Sequence, residues 1–302
     1  MIKQRTIKNK VSVKGVGLHT GKVVTLTLNP MPSNTGIIYR RTDINVDFYP
    51  SPETVRGTQL CTQIFSGQHF INTVEHLNAA LSAFQIDNLL IEIDNVEVPI
   101  LDGSSAPFCF LLQEAGFEEL NAHKEFLLIN KEIEIKKDDK IVRAKPYLSL
   151  FIDFTIDFNH PFIQSTNNNW KGEITPKSFV QNLARARTFG FLKDIEYLQS
   201  KGMCLGGSLD NAMVLDEYRL LNQEGLRYPD EFVRHKVLDS IGDLFVVGKN
   251  VLTYFEAYKS GHELNNMMLK EIVKKSETIF VKDKQEIKDI IQYDLNNEIV
   301  AI

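Results

Sequence analysis

The stretch EFVRHKVLDSIGD, residues 231–243, constrains the fold more than any other part of the chain. Phe232, Val233, Val237, Leu238 and Ile241, continued by Leu244 and Phe245, recur at helical spacing and leave little of the helix surface for water. Such a helix is expected to be buried, with other layers packed around it. Yet His235, Asp239 and Asp243 lie four residues apart and rise along one stripe of that same helix. An imidazole buried beside a carboxylate costs free energy unless each has a partner. A divalent metal satisfies both at once, and an ordinary ion-paired face is the simpler alternative.

At 302 residues the chain is long enough for one large domain or two of ordinary size. Its 43% hydrophobic and 24% charged content is that of a soluble globular protein. A net charge of −5 gives no basic excess to neutralise phosphates, so nucleic-acid partners are not expected. Cys61, Cys109 and Cys204 are scattered and unpaired in spacing, which suggests a reducing compartment. The N-terminal residues hold no signal-peptide core, and no apolar run approaches the roughly 18 to 20 residues of a membrane span. A cytoplasmic protein is expected, with at most peripheral contact with a membrane.

Along the chain, VSVKGVGLHTGKVVTLTLNP reads as strand, glycine turn and strand. Gly15, Gly17 and Gly21 resemble a dinucleotide fingerprint loosely, but the spacing is wrong and a strand follows where a helix should meet the phosphate. Residues 72–84 read as an amphipathic helix capped by Asn72 or Thr73, followed by the strand NLLIEIDNVEV and a helix ending at Gly116. The second half opens with a hairpin turning at the Lys-Lys-Asp-Asp-Lys run. It then repeats the order of helix (231–245), strand (VLTYFEAY) and helix (ELNNMMLKEIVKK). The expected fold is α+β: two similar halves, each with helices on a mainly antiparallel sheet and each carrying an insertion, divided as residues 1–122 and 123–302. The larger insertion, about 174–227, reads as an amphipathic helix across RARTFGFLKDIEYLQSKG, then a glycine turn and a strand. Gly206-Gly207 lacks the Lys-Ser/Thr of a phosphate loop, so none is assigned.

Glu75 and His76 fall in the first turn of their helix, where the macrodipole favours an ionised Glu and a neutral His, the states of a base and a metal ligand. His76 holds the same place in the first half's element order as His235 in the second. If the two helices meet, His76, His235 and Asp239 become available together. Two imidazoles and a carboxylate with an open fourth position is the ligand set of a hydrolytic zinc site. An Asn-Thr-Val-Glu-His run is also an ordinary capped helix start. His262 follows Gly261 just before a helix. Should it meet Asp243, the carboxylate would fix its tautomer and favour its protonated form, making an acid that stabilises an oxyanion.

The strings TVEHLNAAL, DGSSAPF, ARTFGFLKDIEYLQSKGMCLGGSLDNAMVLD, GLRYPDEFVRHKVLDSIGDL and AYKSGHELNN resemble, in order and across nearly the whole chain, the UDP-3-O-acyl-N-acetylglucosamine deacetylases of lipid A synthesis. The resemblance implies a two-domain α+β fold, a Zn²⁺ site and hydrolysis of the N-acetyl group of an acylated UDP-sugar. It makes His76, His235 and Asp239 the zinc ligands and Glu75 the general base. His262 becomes the electrostatic stabiliser and general acid, oriented by Asp243. Thr188 matches the family's hydroxyl donor to the oxyanion, and Lys236 a substrate-binding cation.

The same resemblance turns the insertion into an apolar passage for the acyl chain. Its matching positions are Phe189, Leu192, Ile195, Cys204, Ser208, Leu209 and Val214, with Leu60 near the entrance. Core packing is the plainer reading of any one of these. Gln59 departs from the apolar residue that suits an entrance, and Phe162 is bulky for a position near the sugar. A monomer acting on a small molecule is expected. A zinc deacetylase of another amino sugar, or a binding module with a structural metal, are the alternatives.

Overall fold

The computed structural model describes residues 1–281 and Gln285. The expected second domain runs on to residue 302, so its remaining residues lie outside the described ones.

The strand-turn-strand reading of the N-terminal region holds: Val11–Val16 pairs antiparallel with Val23–Pro30, and Lys22 O accepts from Gly17 N at 2.9 Å across the turn. Alternation in VVTLTLNP buries Val24, Leu26 and Leu28 on one face. Val23–Pro30 then pairs with Leu89–Ile93, which pairs with Ile37–Arg41, and Val46–Phe48 closes this five-stranded sheet. All its ladders are antiparallel except the one between Ile37–Arg41 and Leu89–Ile93. The second sheet is built on the long strand Asn250–Tyr258. Lys140–Lys145 lies antiparallel on one side, while Phe126–Leu128 and Leu150–Thr155 run parallel to successive parts of the other. Both sheets are mixed but mostly antiparallel, as an α+β fold requires.

The helices among the described residues are α1 (Glu75–Phe84), α2 (Ala106–Ala115), α3 (Pro161–Gln164), α4 (Pro176–Asn182), α5 (Leu192–Ser200), α6 (Glu231–Leu244) and α7 (His262–Lys275). Every residue of α1 is buried, and all of α6 except Arg234 and Lys236. The two helices pack directly on each other, and α7 packs on α6. One contiguous apolar cluster joins them to both sheets. The apolar circumference of EFVRHKVLDSIGD is thereby accounted for: this helix is covered on all sides, and its polar stripe has nowhere to go but inward.

Two local expectations fail. Neither Asn72 nor Thr73 caps α1, which begins after Val74 with no side-chain cap. Their side chains are committed elsewhere: Asn72 Oδ1 accepts from Gln63 Nε2 at 2.7 Å, and Thr73 donates to the buried Glu97 at 3.0 Å. Thr73 sits at φ 61°, where it turns the chain into the helix. The predicted helix across RARTFGFLKDIEYLQSKG is the second failure. Its first part is extended, with Phe189–Phe191 running parallel to Met213–Leu215, and only α5 is helical. Arg187 cannot face solvent on a helix because it is buried in ion pairs with Glu231 and Glu224.

Candidate metal centre

The first turn of α1 presents Glu75 and His76, and the middle of α6 presents His235 and Asp239. Where the helices meet, one ligand atom from each of His76, His235 and Asp239 lies within 4.8 Å of the other two. His76 Nε2 stands 3.5 Å and His235 Nε2 3.4 Å from the same oxygen, Asp239 Oδ1. These separations exceed a good N–H···O bond. Asp239 Oδ1 is buried and has no hydrogen-bond partner.

The protonation states follow from what surrounds each group. His235 directs Nδ1 at the carbonyl of Ala186, 3.0 Å away, which leaves the Nε2 lone pair facing Asp239. Burial, helped by His76 and Lys236, pushes its imidazole down to about 3, so it is neutral. Burial opposes a charge on Asp239, yet the ammonium of Lys236 holds its carboxyl well below the usual range. Lys236 Nζ donates to the other oxygen, Oδ2, at 2.8 Å. Two imidazoles and an unpaired anionic oxygen, buried together, are what a divalent cation satisfies.

Beside this cluster are a buried carboxyl and a buried imidazole. Burial raises the carboxyl of Glu75 against the opposing pull of His262 and His76, which suits a general base. Thr62 N donates to its Oε2 at 3.1 Å. Burial works against a charge on His262 too, but Asp243 overcomes it and lifts the imidazole to about 9. His262 Nδ1 lies 2.9 Å from Asp243 Oδ2, so these two side chains do meet.

A cavity of about 770 Å³ opens over these groups. Glu75, His76, His235, Lys236, Asp239 and His262 line its inner end together with Thr188. Thr188 is fixed through its backbone: its N–H donates to Gly103 O at 2.8 Å and its carbonyl accepts from Met213 N at 2.8 Å. Gly103 has φ +83° and no room for a β-carbon against the carbonyl of Asn211, so the DGSS loop needs glycine there. Phe189, Leu192, Ile195 and Cys204 line the rest of the wall with Ser208, Leu209 and Val214. Leu60 and the departing Gln59 also border it. Phe162 does not line the cavity; it packs edge-on against Phe232, with ring centroids 6.2 Å apart, because α3 turns it toward α6.

Several contributors were not expected from the sequence. Leu18 and His19, from the N-terminal glycine turn, form part of the cavity wall. There the glycine turn of the insertion is stitched to them: Leu205 N donates to His19 O at 3.1 Å and Gly206 N to Leu18 O at 3.0 Å. A β-carbon at Gly206 would overlap Gly17 O, so the two backbones touch. Asn265, one turn after His262, also donates to Asp243 at 2.8 Å and could have been suspected from HELNN. Thr62 could not.

A family model described as UDP-3-O-acyl N-acetylglycosamine deacetylase matches residues 4–274. A curated UDP-3-O-acyl-N-acetylglucosamine deacetylase of Hamiltonella defensa subsp. Acyrthosiphon pisum (strain 5AT) is 55% identical over 276 residues, covering 90% of each chain.

Proposed function

The chain belongs to the UDP-3-O-acyl-N-acetylglucosamine deacetylase family, and we propose from that premise that His76, His235 and Asp239 hold a Zn²⁺ ion for its reaction. It is an enzyme that removes the N-acetyl group from UDP-3-O-acyl-N-acetylglucosamine, a step in lipid A biosynthesis. The observation that carries the metal reading is Asp239 Oδ1, buried and unpaired between two imidazole nitrogens.

When bound, the cation supplies Lewis-acid polarisation of the acetamide and makes water more acidic. Glu75 takes a proton from the water that attacks the acetamide carbon. The Thr188 hydroxyl and protonated His262 donate to the oxygen that becomes negative, a role worth several kcal/mol for a well-aimed donor. The C–N bond then breaks, and His262 gives its proton to the departing amine. A new C–O bond remains in acetate, and the sugar keeps a free amine. Lys236, at the inner end of the cavity, contributes positive charge toward the substrate.

The apolar wall from Phe189 to Val214, with Leu60 at its rim, holds the acyl chain in this reading. Each methylene taken from water contributes about 0.8 kcal/mol, so the chain supplies much of the binding energy. No helix among the described residues is long and apolar enough to cross a membrane. Three unpaired cysteines support a reducing compartment, and the reading keeps a cytoplasmic monomer that meets the membrane at most peripherally. The same reading keeps residues 1–122 and 123–302 as its two domains.

Metal analysis coupled to an acetate-release assay tests the proposal. Zinc in stoichiometric amount, with much faster release from the acylated than from the acyl-free UDP-sugar, is the expected result. Equal rates on both would remove the acyl passage and favour a deacetylase of another amino sugar. A metal with four protein ligands and no hydrolysis would leave a binding module.

A further inference from the structure

We propose that Thr62 is a positioning residue that locks the base and the acid of this site to one another, using its backbone for one and its side chain for the other. The inference rests on the roles given above to Glu75 and His262. Thr62 is 2% exposed and stands immediately before the strand Gln63–Ser66, outside all three helices that carry the chemistry. Its N–H reaches Glu75 Oε2 at 3.1 Å, and its hydroxyl donates to Asp243 Oδ1 at 2.6 Å. Cys61 and Thr73 line the cavity, whereas Thr62 does not, so it acts through its two partners and not on a ligand.

The arrangement around Asp243 shows what the hydroxyl does. Oδ2 already receives His262 Nδ1 at 2.9 Å and Asn265 Nδ2 at 2.8 Å. Oδ1 lies 3.2 Å from His262 Nδ1, so the imidazole lies across the carboxylate with both oxygens in reach. Thr62 supplies the short bond to Oδ1 and thereby selects Oδ2 for the imidazole. Without it, a buried carboxylate oxygen loses its strongest donor, and rotation of the carboxylate re-aims the ring. A buried threonine serving only the fold has backbone carbonyls to bond. This one places both of its donors on carboxylates that are 13 and 181 residues away in sequence.

Zinc-loaded Thr62→Val, close in shape and lacking the hydroxyl, tests the assignment. Its kcat is expected to fall roughly tenfold to a hundredfold, the range for losing a hydrogen bond to a charged group, with KM and bound zinc little changed. Thr62→Ser should recover most of the loss. In a His262→Ala background, Thr62→Val should cost almost nothing further, because the hydroxyl acts through that ring. Independently of turnover, the downfield proton resonance of the His262 Nδ1–H should shift in Thr62→Val and return in Thr62→Ser.

An unchanged kcat and resonance in Thr62→Val would overturn the proposal. So would an equal loss with and without His262. If Thr62→Val does not fold, Thr62→Ala and Thr62→Ser carry the same comparison. A wild-type protein that binds no zinc or releases no acetate would count against the proposed function, while the resonance would still decide the role of Thr62.

Discussion

The carbonyl oxygen of Glu75 lies against the α-carbon of Gly242, so near that a β-carbon there would occupy the same space. Only glycine lets α1 and α6 approach this closely, and the approach is what brings His76 to the pair on α6. Gly242→Ala is expected to push the helices apart at a cost of about 1–3 kcal/mol. It should also weaken zinc binding by tenfold or more, since His76 moves with α1. Calorimetric zinc titration beside a thermal melt checks both. A stable variant with wild-type zinc affinity would show that the contact does not set the site.

Glu75→Gln keeps the size of the base and its bond from Thr62 N but removes its ability to take a proton. Turnover should drop by roughly 10² or more while the zinc content stays at one per chain. His262→Ala should cost a similar factor. Steady-state acetate release with metal analysis on the same samples checks the pair, and near-normal turnover in either would remove its role.

The pH dependence of stability follows from His262. Its pKa rises from 6.5 to about 9 because Asp243 outweighs burial, so the fold prefers the charged ring. The resulting stabilisation, on the order of 3 kcal/mol, is full below pH 6.5 and is lost as pH rises through about 9. Urea unfolding of the metal-stripped protein at pH 6.5 and 9.5 should show that loss. Asp243→Asn should flatten it, and parallel curves for the two proteins would contradict the pairing.

Ile195 lines the cavity from α5, a helix with no buried residue of its own. Replacing it with Asp puts a charge on the wall without disturbing the core. KM for the acylated substrate should rise tenfold or more, with little change in kcat or melting temperature. Unchanged KM would move the acyl chain away from α5.

Arg187 and Glu231 are 1% and 0% exposed at their side chains. Glu231 accepts from Arg187 N at 3.0 Å and Nε at 2.9 Å, tying the loop that ends at Thr188 to the start of α6. Glu231→Ala leaves a buried guanidinium short of its partner and should destabilise by about 3–5 kcal/mol. Denaturant unfolding measures it, and a loss under about 1 kcal/mol would show that water or Glu224 takes over.

What could be read from the sequence divides along physical lines. His235 and Asp239 were legible because a helix turns a spacing of four into a shared face. His76 was legible because its helix occupies the same place in the order of elements. The α+β class followed from the alternation of strand and helix patterns. Phe189–Phe191 was misread as helix because its pairing with Met213–Leu215 depends on a partner more than twenty residues away that no local pattern announces. Arg187 and Glu231, 44 residues apart, and Thr62 with Asp243, 181 apart, belong to the same class. Their bonds exist only once the helices are packed, and single polar residues leave no period to detect.

The seam between the glycine turn of the insertion and the N-terminal hairpin gives the cavity a stretch of wall made of main chain. The two backbones are joined at Leu205 to His19 and Gly206 to Leu18, so their separation is set by peptide geometry rather than by side-chain size. Opening that wall means parting a register that joins residues 185 positions apart, as Cys204 and His19 are.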